Sequence, residues 1–272
     1  MSIDPNPYIF LISLSASVGA AISTLEWIYG RRQLQDDGLF SWQIIGTRNF
    51  AVGRGYLTAA LNWLLSFRPF LSTLILRFVA LMALPPALWF GHGCVVVLAI
   101  VLFSSLLMHL RSPWGMDGSD QMLTQIFGAL FLGQIGGSLV AYQASLWFIA
   151  GQSCLSYSTA GIAKALSTHW RDGRVVFGIF NTRTYGYEPI ARFLLHQPGI
   201  TKALTWGAVA MECSFPLTLF IGFPACLVFV AWGIAFHMMN AIVMGLNAFF
   251  WSFVATYPAI IYCSIILQHF LF

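Results

Sequence analysis

The run Ala160-Gly161-Ile162-Ala163-Lys164, continued by Ala165-Leu166-Ser167-Thr168-His169-Trp170-Arg171-Asp172-Gly173, closes a stretch without Asp, Glu, Lys or Arg that reaches back to Gln121. A bilayer selects for such stretches, because a charge at the centre of a spanning helix costs about 2.5–3.5 kcal/mol on an insertion scale. Lys164 therefore marks either the edge of the apolar layer or a group that the layer is built to hold. Working outward from it, long and nearly uncharged segments recur along the whole chain.

Of 272 residues, 58% are apolar and only 8% charged, with a mean hydropathy of +0.78; soluble domains carry about 25% charge. At ~20 residues per span, the chain reads as an all-α integral membrane protein of about eight transmembrane helices. These fall at roughly 8–28, 70–90, 94–110, 121–137, 142–166, 203–220, 224–244 and 249–271. The expectation is a single polytopic membrane domain over 1–272 with no soluble domain. The first seven residues hold Asp4 but no Lys or Arg, so the first span reads as retained rather than as a cleaved signal peptide. Within the first connection, 57–67 reads as a short interfacial helix, and Pro85-Pro86 is expected to break or kink the end of the second span.

Twelve of the thirteen Lys and Arg residues, counting Lys164, sit in the connections after spans one, three and five. The positive-inside rule makes that face cytoplasmic. The setting is then a multi-pass protein of a cell membrane, the bacterial inner membrane, in contact with anionic lipid. Basic residues split among loops argue against nucleic-acid binding. Five scattered cysteines without a C-x-x-C pair read as small buried hydrophobes, and no metal-binding spacing occurs.

Tyr157, Gly161 and Lys164 share one helix face. Lys164 either snorkels to the interface or is a partly desolvated base, with Gly161 giving a substrate room to approach. His237, Asn240, Met244 and Asn247, spaced 0, 3, 7 and 10, read as one polar side of the seventh span, either packing glue or the lining of a cavity in which His237 relays protons. Asp117 and Asp120 read as cap and first-turn acid of the fourth span, or as carboxylates facing a cavity with Lys164. Gly133-x-x-x-Gly137 reads as a packing seam. Arg77 and Glu212, the two charges deep inside spans, are expected to pair.

Two of these stretches resemble the membrane segment of the vitamin K-dependent gamma-carboxylases: Ala160-Gly161-x-x-Lys164 followed by Trp170 and Gly173, and Phe236-His237-x-Met239-Asn240 followed by Tyr257-Pro258. The Asp117-Gly118-Ser119-Asp120 entry and the Met244-Gly245-Leu246-Asn247 run are similar to those of HTTM (horizontally transferred transmembrane) proteins. The resemblance implies that Lys164 is the general base, with His237 and Asp120 as further catalytic groups. Tyr157, Gly161, Trp170, Asn240, Asp117 and Asn247 would contact substrate. It also implies a reduced quinone (vitamin K-like) with O2 and CO2 as co-reactants and no metal. Gly118-Ser119-Asp120 stands where the carboxylases have Asn-Asn-His, and no counterpart of their large lumenal domain is expected. The reaction implied is a carboxylase-like lyase or oxidoreductase step on a peptide or small molecule supplied by a partner protein. The other reading is a non-catalytic membrane protein for peptide maturation, secretion or immunity.

Overall fold

A computed structural model describes residues 3–48, 55–112 and 117–271. Arg54 and the 113–116 part of the connection before Asp117 lie outside the described residues. Those described are helical with no strand, and five of their helices are long and apolar enough to cross a membrane. The chain divides into two compact units, one of residues 13–142 and the other of residues 3–12 and 143–271.

In the first unit, α1 (Asn6–Tyr29) buries Ser13, Ala16, Ser17, Ala20, Ala21 and Thr24. These small side chains recur every three or four residues and let neighbouring backbones come close. A short helix α2 (Trp42–Ile45) and α3 (Tyr56–Leu65) follow. The latter covers most of the 57–67 stretch expected to be helical and exposes Tyr56, Leu57 and Trp63. α4 (Phe67–Phe90) turns back on α5 (Cys94–Arg111) through Gly91-His92-Gly93, both glycines having left-handed φ, 71° and 69°. α6 (Gly118–Gly136) completes the unit.

Several expectations change here. α4 runs straight through Pro85 and Pro86 to Phe90. The prolines remove two N–H donors, but the last turn is closed by Ala87, whose carbonyl accepts from Gly91 and His92 backbone N–H groups and the Cys94 thiol. Gly137 ends α6 in a left-handed cap (φ 55°) rather than extending a Gly133 seam. The connection after α1 is not merely polar. Leu34, Trp42 and Ile45 pack with Leu65, Phe70, Leu74, Leu107 and Met108. Arg111, expected in a charged loop, is fully buried among them, donating to the Leu34 carbonyl at 2.8 Å with its guanidinium 5.7 and 5.4 Å from the Trp42 and Phe70 rings.

In the second unit, α7 (Leu139–Leu166) leads into α8 (Thr168–Arg171), α9 (Arg174–Phe180) and α10 (Glu188–His196). The expected loop of about 30 residues is thus three short helices, the last stapled by an i,i+4 ion pair of Glu188 and Arg192. α11 (Pro198–Ser214) passes into a 3-10 turn, Phe215–Leu219. α12 (Cys226–Met244), α13 (Asn247–Val254) and α14 (Tyr257–Leu271) follow. The break between α13 and α14 precedes Pro258. Thr256 occupies it, its hydroxyl donating to the Phe253 carbonyl and lying 2.9 Å from the Ser153 hydroxyl. Four cysteines are buried and Cys213 is exposed.

Candidate functional site

The buried stripe of α7 runs through Ser153, Tyr157 and Gly161, and its next member at helical spacing is Lys164. Tyr157 is held in an aromatic cage, stacked on Phe215 at 3.9 Å and edge-on to Phe253 at 5.0 Å. Its hydroxyl stands between two partners, Tyr257 Oη at 2.7 Å and His237 Nε2 at 2.8 Å. Gly233, one turn before His237 on α12, makes this possible, because a Cβ there would collide with the Tyr257 hydroxyl.

The three groups form a chain with a definite proton count. If Tyr157 donates to His237 Nε2, the ring proton sits on Nδ1; if Nε2 donates, Tyr157 passes its own proton to Tyr257. In both arrangements Nδ1 is buried with no hydrogen-bond partner among the described residues, while the ring lies 4.3 Å from Phe253, stacked on it. An unpaired ring nitrogen in an apolar setting costs about 1–3 kcal/mol.

One helical turn beyond Gly161, Lys164 Nζ lies 2.6 Å from both carboxylate oxygens of Glu212. The carboxylate is nearly sealed, at 4% side-chain exposure, whereas the lysine retains 18%. The Trp170 ring covers the amine at 5.2 Å. Lys164 therefore does not snorkel freely to water: it is partly desolvated, and its amine is held by Glu212. The space expected at Gly161 is also taken. A Cβ there would fall 2.8 Å from the Cys213 backbone nitrogen and 2.9 Å from Glu212 Cβ. Glycine is needed so that α11 can bring Glu212 up to Lys164.

Glu212 is the residue that sequence reasoning misassigned. The expected pairing is with Arg77, but Arg77 is bonded through Nε and Nη1 inside the first unit. Its Nε bonds Thr24 Oγ1 at 3.1 Å, and its Nη1 bonds the Val101 carbonyl, Ser104 and Ser105 at 2.9, 3.2 and 2.6 Å. The available signal was that Glu212 is the only charge after Lys202.

The remaining candidates separate. Asn240 and Asn247 do not share a helix face, because Gly245 ends α12 in a left-handed cap (φ 73°) and Asn247 opens α13. What is described of them is backbone: the Asn240 carbonyl receives the capping N–H groups, and Asn247 N–H donates to Gly245. Asp117 acts as the cap of α6, accepting from Ser119 N, Asp120 N and the Ser119 hydroxyl at 2.9, 2.9 and 2.6 Å. Asp120 lies in the first turn of that helix, on a cavity of the first unit. Burial and the neighbouring Asp117 carboxylate push it up to about 6, against the pull of Arg77.

The geometry thus brings Tyr157, Gly161, Lys164, Trp170 and His237 into one seam, adds Glu212, Tyr257 and Phe253, and leaves Asp117, Asp120, Asn240 and Asn247 in other roles. No protein-family profile, curated protein or solved structure matches this chain, so its chemistry has to be read from the seam itself.

Proposed function

We infer that the protein is a membrane enzyme that takes a proton from a weakly acidic, lipid-soluble substrate, with Lys164 as the base and Glu212 as the group that frees it. The observation that carries this reading is the Lys164–Glu212 pair, sealed at the carboxylate and partly open at the amine. In apolar surroundings a close ion pair is expensive to desolvate. Moving the proton from Nζ to a Glu212 oxygen leaves a neutral amine beside a neutral acid at little cost. The amine lone pair then accepts the substrate proton, while Glu212 keeps the first one until product leaves. The Tyr257–Tyr157–His237 chain offers hydroxyl and imidazole protons at Tyr157, two turns from Lys164 along α7.

The reductant implied by the resemblance, a lipid-soluble quinol, would find hydrogen-bonding groups here in Lys164 and the Nδ1 atom of His237. It would not find the room expected at Gly161, which α11 fills. The step argued from this chain's own residues is the proton transfer; O2-dependent oxidation of the quinol and capture of CO2 stay what the resemblance implies. The membrane setting is eight spans in a bacterial inner membrane. α6, α7 and the α11 segment complete the five most apolar spans, and the charged connections lie on the cytoplasmic side.

The same pair favours a second reading, because a sealed carboxylate bound at both oxygens also ties α7 to α11 as a scaffold would. Substitutions separate the two. Purified protein in lipid nanodiscs, supplied with a reduced naphthoquinone and O2, is assayed for oxidation of the quinol to the quinone with reduction of O2 to H2O2, a reaction that starts from the deprotonated quinol. An enzyme loses turnover in both Lys164→Ala and Lys164→Arg while its thermal unfolding shows the fold intact. Full turnover in both variants removes Lys164 as the base, and a function kept by Arg but lost by Ala assigns the pair to the scaffold.

A further inference from the structure

The first unit encloses a cavity of about 40 Å³ that the proton-transfer reading does not use. It is lined from four helices, by Trp27 of α1, Arg77 of α4, Ser105 and His109 of α5, and Asp120 and Thr124 of α6. One buried water needs about 10–15 Å³, so the space takes roughly three water-sized groups.

Two opposite charges face this space without meeting. The ion pairs within 4.0 Å among the described residues are Lys164–Glu212, Asp172–Arg174 and Glu188–Arg192, and Arg77–Asp120 is not one of them. Arg77 is only 5% exposed, and its described hydrogen bonds engage Nε and Nη1 but not Nη2. The hydrogen bonds described for Asp120 are those of its backbone, to Asp117 and Thr124. His109 adds a ring nitrogen 3.4 Å from Thr124 Oγ1, and Glu26 and Asp117 contribute negative potential around Asp120.

Opposite charges that share a small space, here one also lined by Ser105, His109 and Thr124, either close on each other or are bridged. A lone anion would gain Arg77 and be repelled by Asp120, whereas a lone cation would meet the reverse. A head group carrying both charges satisfies both walls. We propose that this cavity binds the head of a compact zwitterion, its anionic end on Arg77 and its ammonium on Asp120. The cavity reaches the half-buried Trp27 at the end of α1, an aromatic of interface type. That position is open to two sources of the same chemistry, a free α-amino acid and the head group of an aminophospholipid.

The test uses full-length protein in nanodiscs of phosphatidylcholine and phosphatidylglycerol, titrated calorimetrically with glycine, acetate and methylammonium. Glycine is expected to bind at least tenfold more tightly than either single-charge probe. Its affinity should fall about tenfold from pH 7.5 to pH 5, as Asp120, with its value of about 6, takes up a proton. Asp120→Asn should abolish the preference for glycine over acetate. Replacing part of the lipid with phosphatidylethanolamine distinguishes the sources: loss of glycine affinity assigns the site to the lipid head group, and unchanged affinity assigns it to the free amino acid. If the three probes bind equally or not at all, and phosphatidylethanolamine changes nothing, the cavity holds water and the proposal is overturned. The pH series on the unaltered protein stands even if the variant fails to fold.

Discussion

Gly161→Ala gives the sharpest check on how the seam is built. The added methyl would lie 2.8 Å from both the backbone nitrogen and Sγ of Cys213, and 2.9 Å from Glu212 Cβ. Backbone cannot swing aside as a side-chain end can, so α11 must retreat by roughly half an ångström to restore ordinary contact. Overpacking of this kind costs about 1–3 kcal/mol. The higher helix propensity of alanine returns up to about 1 kcal/mol, so the net effect is a loss. The control lies on the same helix: Gly151 has nothing within 4 Å of its own notional Cβ, and Gly151→Ala should be neutral or slightly stabilising. Reversible unfolding of the two variants in mixed detergent micelles, titrated against the parent, reads the difference. A gap of 1.4 kcal/mol between them is a tenfold change in the unfolding equilibrium. Equal stability of the two alanine variants would show that α7 and α11 are not in the close contact described and would detach Glu212 from Lys164.

Tyr157→Phe removes the hydroxyl shared by Tyr257 and His237 and leaves two buried polar groups unpaired. It should cost about 1–3 kcal/mol, more than Tyr257→Phe, which keeps the Tyr157–His237 bond; equal losses would count against the chain. Asp117→Ala removes the cap of α6 and should cost about 1 kcal/mol, visible as early amide exchange confined to the first turn of that helix. Asp120 binds its proton more tightly in the folded protein, at about 6, than its ordinary value of 3.8. The fold should therefore gain stability as pH falls from 7.5 through 6 toward 4. Asp120→Asn should flatten that part of the unfolding-versus-pH curve, and an unchanged slope would place the titration elsewhere.

The apolar segments were legible in the sequence because each obeys a local rule. The eight expected stretches are largely helical, although 203–220 passes from α11 into a 3-10 turn and 249–271 is broken between α13 and α14; five stretches satisfy length and apolarity together. Capping was legible at Asp117 for the same reason. What failed was anything that depends on a partner far along the chain. The stripe from His237 to Asn247 crosses Gly245 and the seam from Gly133 ends on Gly137, but each of these two glycines adopts left-handed φ and stops its helix. Arg77 lies on the buried stripe Phe70, Leu74, Arg77, Leu81, Leu84. Helical spacing alone could have shown that it faces inward, though not that hydroxyls and a carbonyl would receive it. Gly161 was read as an opening because a missing side chain in sequence looks the same whether a ligand or a helix fills the gap. Glu212 stood out as a lone charge, yet no periodicity relates it to Lys164, 48 positions earlier.

The turn between α4 and α5 bears on how the protein reaches its bilayer. Two helices of 24 and 18 residues are joined by Gly91-His92-Gly93, with no Lys, Arg, Asp or Glu in the turn. A link that short has no slack for one helix to enter the hydrocarbon layer while the other waits outside. The pair must be handed over as one hairpin, and its leading end carries nothing heavier to dehydrate than a histidine and a few peptide groups. Biogenesis of this region is thereby reduced to a single crossing event. A tag or loop inserted at His92 would interfere with delivery before it touched the finished fold.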